Sequence, residues 1–126
     1  MRLVVDTSVL IDHLRGNLAA RQALADAVAG DARLSSSVVV KVEVLAGMRP
    51  AEEHRTRRLL DALDWIAVDD DIAERAGLLA NRYLRSHPGM DAVDYIIAAT
   101  VQRHDAALWT RNLTHFPMLP DLTSPY

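Results

Sequence analysis

Short apolar runs rich in β-branched residues alternate with longer stretches of helical character, and this alternation constrains the fold of the 126-residue chain most. The short runs predict strands, because apolar segments of this length bounded by polar or turn residues are typical of buried strands. The predicted strands cover residues 3–5, 34–37, 65–68 and 107–110. Strands that alternate with helices are typical of an α/β architecture. We therefore predict a three-layer α/β/α sandwich around a short, mostly parallel central sheet.

The segments between these strands have helical periodicity and helix start and stop residues. The predicted helices cover residues 9–14, 18–29, 38–48, 51–63, 72–85 and 91–103. The 38–48 segment is ambiguous, because its β-branched content favours a strand whereas its length and the preceding serine favour a buried helix, which we predict. The tail from Asn112 onward contains three prolines and is predicted to be mostly loop. The chain has no repeat or linker, and its length suits a single domain spanning residues 1–126.

Composition excludes several classes of function. The absence of cysteine rules out disulfides, thiolate zinc sites and cysteine nucleophiles. No apolar run is long enough to span a membrane and no signal-peptide pattern is present, so we expect a cytoplasmic protein without a membrane partner. With a net charge of −3, the chain lacks the excess of basic residues that is typical of a non-specific nucleic-acid binder. All basic residues except Lys41 are arginines, which suit either solvated helix faces or phosphate binding.

Three acidic residues stand where a purely structural sequence would avoid them. Asp6 follows the first predicted strand, at the edge where open α/β sheets bind ligands. Glu43 and Asp94 lie within predicted apolar helices. An ionised carboxylate is costly to bury unless it is paired or binds a metal. Capping or ion pairing would explain each acid separately, but one shared site would explain all three.

A cluster of three carboxylates repels itself, and a divalent cation would relieve that repulsion. Oxygen ligands suit Mg²⁺ or Mn²⁺, whereas the five histidines show no spacing typical of a zinc site. Such a cation can activate water for attack on a phosphodiester. The acids therefore predict a metal-dependent phosphodiesterase centre.

Four sequence motifs together resemble those of a known protein family. They are Val-Asp-Thr-Ser-Val-Leu-Ile-Asp at 5–12, Val-Glu-Val-Leu-Ala-Gly at 42–47, Asp-Tyr-Ile-Ile-Ala-Ala-Thr at 94–100, and Thr-Arg-Asn at 110–112 with Phe116. With these motifs in this order, the chain resembles PIN-domain ribonucleases, and more specifically the VapC toxins of bacterial type II toxin–antitoxin modules. The resemblance implies a PIN-like fold and a Mg²⁺- or Mn²⁺-dependent endoribonuclease that cleaves cellular RNA, such as tRNA or rRNA. It also implies a homodimer that is neutralised by a VapB-type antitoxin.

Matched by position, the resemblance implies that Asp6, Glu43 and Asp94 are the catalytic and metal-binding acids. It places Ser8, with Thr7 as the second choice, as the hydroxyl beside Asp6. The family often has a fourth acid where this chain has Asn112, which brings no charge. We therefore expect one metal ion rather than two.

Further residues in or near these motifs have more than one interpretation. Asp91 is either the N-cap of its helix or a fourth negative charge near the metal. Arg111 either contacts phosphate or holds a carboxylate. His115 is predicted to be a packing or surface residue rather than a general base. Trp65 and Trp109 are predicted to be core residues, and stacking on an RNA base is the alternative for Trp109.

Two other functions are compatible with the sequence. A phosphoryl-transfer enzyme would use Asp6 as its nucleophile, but such sites usually also need a lysine, and Lys41 lies beside Glu43 in a helical segment. A catalytically weak PIN-fold binding protein would keep the fold without the chemistry, as Asn112 in place of an acid allows.

Overall fold

A four-stranded sheet forms the centre of the computed structural model, which describes residues 1–126. The strands are Arg2–Val5 (β1), Arg33–Ser37 (β2), Asp64–Ile66 (β3) and Ala107–Trp109 (β4). Their order is β3-β2-β1-β4, and all three pairings are parallel. The predicted parallel sheet is confirmed, although β3 ends two residues early because it pairs with β2 over only three residues.

Two helices connect each strand to the next. They are Thr7–Leu14 (α1), Leu18–Ala29 (α2), Val38–Ala46 (α3), Glu53–Asp61 (α4), Asp70–Tyr83 (α5) and Ala92–Arg103 (α6). The predicted helix over 51–63 begins instead as a 3₁₀ turn at Pro50–Glu52. The tail, predicted as loop, contains one further 3₁₀ turn at Leu113–His115. No helix combines the length and the apolar character that crossing a membrane would require.

The strand order divides the helices between the two faces of the sheet. From β1 to β3 the chain moves in one direction across the sheet, and it then returns past β1 to form β4. Because parallel crossovers are right-handed, this reversal places α1–α4 on one face and α5 and α6 on the other. The contacts agree, since α1 packs on α2 and α3 while α5 packs along α6. The three-layer α/β/α architecture is therefore confirmed.

The ambiguous segment after β2 is the helix α3. The Ser37 side chain caps it by accepting a hydrogen bond from the Val39 N–H, at 3.3 Å. Val40 and Val44 are buried four residues apart, whereas Val42 is 66% exposed. The expectation of a buried helix is therefore wrong in part, because only one face of α3 packs on the protein. Glu43 lies on the exposed face.

Buried residues from both faces of the sheet form one hydrophobic cluster. Leu3, Val4 and Val5 of β1 are completely buried, because β1 is flanked by strands and covered by helices on both sides. Trp65 and Trp109 are only partly buried but pack against this cluster, in agreement with their predicted core role.

We expect Leu10→Ala in α1 to lower the free energy of unfolding by about 2–5 kcal/mol, because it removes a fully buried side chain and leaves a cavity. The matched change Leu78→Ala in α5 removes a side chain that is 66% exposed and should cost less than about 0.5 kcal/mol. Urea unfolding measures both values. Equal losses in the two variants would contradict this description of the core.

Candidate active site

The carboxyl ends of β1 and β4 lie side by side at the point where the strand order reverses, which is where ligands bind in open α/β folds. The Asp6 N–H donates to the Trp109 carbonyl oxygen at 2.9 Å, so the two strand ends are directly joined. A cleft of about 280 Å³ opens here, and none of the side chains that line it is apolar. Its lining residues are Asp6, Thr7, Ser8, Glu43, Asp91, Asp94, Asn112 and His115. The structure thus brings the three predicted acids to one cleft.

A larger groove of about 660 Å³ lies between α1, α2 and α4. It is mainly apolar, with Arg21, Arg55 and Arg58 among its lining residues, and it contains no carboxylate. We therefore place the chemistry in the smaller polar cleft, where the titratable groups converge.

The Asp6 carboxylate is buried, with 4% of the residue exposed, and three donors hold it. One oxygen accepts a hydrogen bond from the Thr7 N–H at 2.8 Å. The other accepts from the Ser8 hydroxyl at 3.1 Å and from the Thr110 hydroxyl at 2.7 Å. Because buried polar groups are costly when unpaired, these donors account for the position of Asp6 and fix its orientation.

Ser8 and Thr110 also tie the loop after β4 to Asp6. The Thr110 hydroxyl accepts from the Asn112 N–H at 2.9 Å, and the Ser8 hydroxyl accepts from the Arg111 N–H at 3.0 Å. Thr110 was absent from the predicted site residues. A hydroxyl residue directly after a strand, at the sheet edge that carries Asp6, is the signal that could have identified it.

Glu43 is more exposed than its sequence context suggested. It reaches the cleft from the solvent side of α3, and its carboxylate accepts a hydrogen bond from the Thr7 hydroxyl at 2.6 Å. The two adjacent hydroxyls of α1 therefore serve different acids. Ser8 contacts Asp6, as predicted, and Thr7 contacts Glu43.

Asp91 and Asp94 form a reciprocal cap at the start of α6. The Asp91 carboxylate accepts from the Asp94 N–H at 3.1 Å, and the Asp94 carboxylate accepts from the Asp91 N–H at 3.2 Å. This capping box satisfies two donors at the helix N-terminus. The N-cap interpretation of Asp91 is confirmed, and the same residue also lines the cleft.

His115 lies in the cleft, where its Nδ1 atom is 3.1 Å from the Asp94 carboxylate. Its side chain is 38% exposed, in agreement with a surface position, but its place in the cleft was not predicted. The 3₁₀ turn at Leu113–His115 brings it back towards α6, and nothing in the sequence around His115 indicates that turn. A histidine nitrogen at this distance restricts the orientation of the Asp94 carboxylate.

Burial raises the pKa of Asp94 above its ordinary value, and the neighbouring charges of Asp91 and Asp6 raise it further. The hydrogen bond from the Asp91 backbone and the charge of His115 act in the opposite direction. The side chain of Asp94 is 13% exposed, so little water screens the repulsion. Burial and the neighbouring acids therefore destabilise the ionised form of Asp94.

The donor set suits a hard divalent cation, because the acids present only oxygen atoms. No three His, Asp or Glu side chains are arranged closely enough to form a ready-made metal cage. Mg²⁺ does not need such a cage, since it usually keeps several waters and binds through one or two carboxylates. One or two of Asp6, Asp94 and Glu43 could therefore bind such a cation directly, and the remaining acid could contact it through water.

Neither Arg111 nor Lys41 lines the cleft with its side chain. The Arg111 guanidinium donates to the main-chain oxygen of Tyr126 at 3.3 Å and lies 4.6 Å from the centre of the Tyr126 ring. It forms no ion pair with Asp6, Glu43 or Asp94. The Lys41 ammonium lies 4.7 Å from the centre of the Trp65 ring, so the lysine that a phosphoryl-transfer centre at Asp6 would need is missing from the cleft.

The family model and the sequence relatives that match this chain agree with one another. A family model of the PIN domain matches residues 3–116. Ribonuclease VapC19 of Mycobacterium tuberculosis is 45% identical over 123 residues, which cover 98% of each chain. Ribonuclease VapC10 of the same organism is 44% identical over 124 residues, which cover 98% of this chain and 92% of that protein.

Solved structures have the same fold. A chain of a toxin–antitoxin complex from Klebsiella pneumoniae superposes with a TM-score of 0.81 at 33% identity, covering 100% of this chain and 98% of that one. A chain of VapBC2 from Rickettsia felis, solved with a DNA fragment, also superposes with a TM-score of 0.81, covering 98% of this chain and 97% of that one. At 18% identity, this second structure shares the fold alone.

We expect Asp94→Asn to raise the melting temperature in EDTA at pH 7 by about 2–5 °C, because it removes one charge from a self-repelling cluster. The raised pKa means that the native protein loses stability as the pH rises above 3.8 and Asp94 ionises. The advantage of Asp94→Asn should therefore disappear below about pH 4. Thermal unfolding across this pH range measures the effect.

Glu74→Gln is the control, because Glu74 is exposed in α5 and forms no ion pair. Its melting temperature should stay close to that of the wild type at every pH. A lower melting temperature of Asp94→Asn at pH 7 would show that the Asp94 charge stabilises the cleft instead of straining it.

Proposed function

The chain belongs to the PIN domain family, and from this premise we propose that it is a Mg²⁺- or Mn²⁺-dependent endoribonuclease, the toxin of a toxin–antitoxin pair. The observation that carries the proposal is the convergence of Asp6, Glu43 and Asp94 on one entirely polar cleft. Two similar proteins are named ribonucleases, and a solved relative at 33% identity is part of a toxin–antitoxin complex. The substrate is cellular RNA, with tRNA or rRNA as the expected targets, and the place of action is the cytoplasm.

The catalytic and metal-binding residues in this proposal are Asp6, Glu43 and Asp94. When bound, the cation supplies positive charge that polarises the scissile phosphate and makes a water molecule a better nucleophile. Asp6 provides a carboxylate whose orientation is fixed by its donors. Glu43 and Asp94 add negative charge to the cleft from α3 and α6, and together with Asp6 they would be the residues that hold the cation.

The remaining cleft residues orient these acids. Thr7 directs Glu43 through its hydroxyl, and Ser8 directs Asp6. His115 and the N–H of Asp91 both contact the Asp94 carboxylate and limit its rotation. Catalysis by positioned charge requires donors and acceptors that do not reorganise during the reaction, and these contacts provide that rigidity.

Asn112 supports a site with a single cation. It lines the cleft next to the three acids but adds no negative charge. A second divalent cation would need further anionic ligands, and Asp91 is already engaged in capping α6. One divalent cation would offset two of the three negative charges of Asp6, Glu43 and Asp94.

The partner in this proposal is a VapB-type antitoxin, and the toxin forms a homodimer. An antitoxin segment that covers the cleft would silence the enzyme, and an arginine on that segment would pair well with the carboxylates. Such an arginine occupies the place of the cation. Mn²⁺ and the antitoxin therefore compete for the cleft.

The second candidate is a PIN-fold binding protein with weak or absent catalysis. Asn112 in place of an acid and the absence of a ready-made metal cage favour it. The two candidates differ in metal binding, because a vestigial site would hold Mn²⁺ weakly and independently of Asp6.

We expect the purified protein to cleave RNA with Mg²⁺ or Mn²⁺ and to stop when EDTA is added. Asp6→Ala and Asp94→Asn should each lower the cleavage rate by about 100-fold or more, since each removes a charge that positions the cation. Mn²⁺ titration calorimetry should show binding that Asp6→Ala abolishes. Activity that persists in EDTA and in Asp94→Asn would refute the metal mechanism, and weak Mn²⁺ binding that Asp6→Ala leaves unchanged would favour the second candidate.

Removal of the buried Thr110 hydroxyl tests the Asp6 site more specifically. Thr110→Val keeps the side-chain shape but removes the hydrogen bond to Asp6, so Mn²⁺ affinity and cleavage rate should both fall by about tenfold. Thr100→Val is the matched control, because the Thr100 hydroxyl is equally buried but donates to the Ile96 carbonyl oxygen within α6. Isothermal calorimetry and initial rates measure both variants. Equal effects in the two would mean that the Thr110 contact is not specific to the site.

A further inference from the structure

His115 places a ring nitrogen beside the Asp94 carboxylate inside the acidic cleft. Its Nδ1 atom is 3.1 Å from one of the two carboxylate oxygens. The hydrogen bond that this carboxylate accepts comes from the Asp91 N–H, and none joins it to His115. A nitrogen and an oxygen therefore lie side by side in the cleft without a hydrogen bond between them.

The imidazole of His115 is able to present this nitrogen to a bound ion. The residue lines the cleft together with the three acids, and its ring is only partly buried. A neutral imidazole carries one proton, so Nδ1 has a free lone pair when that proton is on Nε2. Because the ring is partly exposed, Nε2 can then donate its proton to water. The cleft thus contains one nitrogen ligand in addition to the carboxylate oxygens.

The spacing of the two atoms suits two ligands of one cation. When two metal–ligand bonds of about 2.1 Å meet at a right angle, the ligand atoms are about 3 Å apart. The 3.1 Å between the His115 Nδ1 atom and the Asp94 oxygen is close to this value. Two such ligands do not form a three-residue cage, in agreement with the absence of one in the structure. Water and a second carboxylate would supply the other positions.

We propose that His115 binds the cation together with Asp94, and that this nitrogen makes the cleft prefer Mn²⁺ and other first-row transition-metal ions to Mg²⁺. The inference rests on the proposed ribonuclease function and deepens it by naming the class of cation. Mg²⁺ is a hard ion that takes oxygen ligands and loses its waters reluctantly, whereas imidazole nitrogen suits transition metals. A neutral ring also adds a ligand without adding negative charge to the cleft.

Pulsed electron paramagnetic resonance of the Mn²⁺-loaded protein detects a nitrogen that is bound directly to the ion. We expect the electron spin echo of the wild type to be modulated by one imidazole nitrogen, and this modulation to disappear in His115→Asn. Asparagine keeps an N–H donor close to the position of Nδ1, but an amide nitrogen has no free lone pair for a metal. Bound Mn²⁺ without nitrogen modulation in the wild type would overturn the proposal.

Calorimetric titration with the chlorides of Co²⁺, Mn²⁺ and Mg²⁺ measures the metal preference. The wild type should bind Co²⁺ more tightly than Mn²⁺, and Mn²⁺ about tenfold more tightly than Mg²⁺. His115→Asn should weaken Mn²⁺ binding about tenfold and change Mg²⁺ binding by less than about twofold. A histidine that only orients Asp94, or that only pairs with it as an ion, would change the affinities for both ions by the same factor. Such an equal change would overturn the proposal.

His54→Asn is the matched control, because His54 is exposed in α4 and lies outside the cleft. Its metal affinities and its nitrogen modulation should match those of the wild type. If Mn²⁺ binding depends on Asp6 but the ion has no nitrogen ligand, only the role of His115 fails. If neither Mn²⁺ nor Mg²⁺ binds to the wild type, both the proposed function and this inference are overturned.

Discussion

The buried Asp6 carboxylate is the interaction on which the arrangement of the site depends. It needs hydrogen-bond donors, because a buried charged group is costly when it is unpaired. The donors come from the start of α1 and from the residue after β4. The hydrogen bonds to the Asp6 carboxylate therefore join two elements that are distant in sequence. The same hydroxyls hold the loop that carries Arg111 and Asn112.

The other acids add negative charge around Asp6, and this charge lowers the stability of the protein when no cation is bound. The raised pKa of Asp94 reflects burial and the nearby charges of Asp91 and Asp6. Natural proteins retain strain of this kind at functional sites, where a ligand relieves it.

Much of this site could be predicted from local patterns, and the errors have a common cause. Asp6 was identifiable because it follows a strand, and Asp91 because it precedes a helix. The positions of His115 and Thr110 in the cleft were not predicted, since they depend on partners 21 and 104 residues away in sequence, Asp94 and Asp6. The exposure of Glu43 was also misjudged, because the apolar composition of α3 does not reveal which of its faces packs on the protein.

Residue types and short-range spacing were enough to predict the alternation of strands and helices, the family motifs and the three acids. Contacts between distant segments establish which hydroxyl donates to which acid and bring His115 against Asp94. These contacts arise where chain segments meet at the sheet edge. Their geometry follows from packing and strand order, which no local stretch of residues encodes.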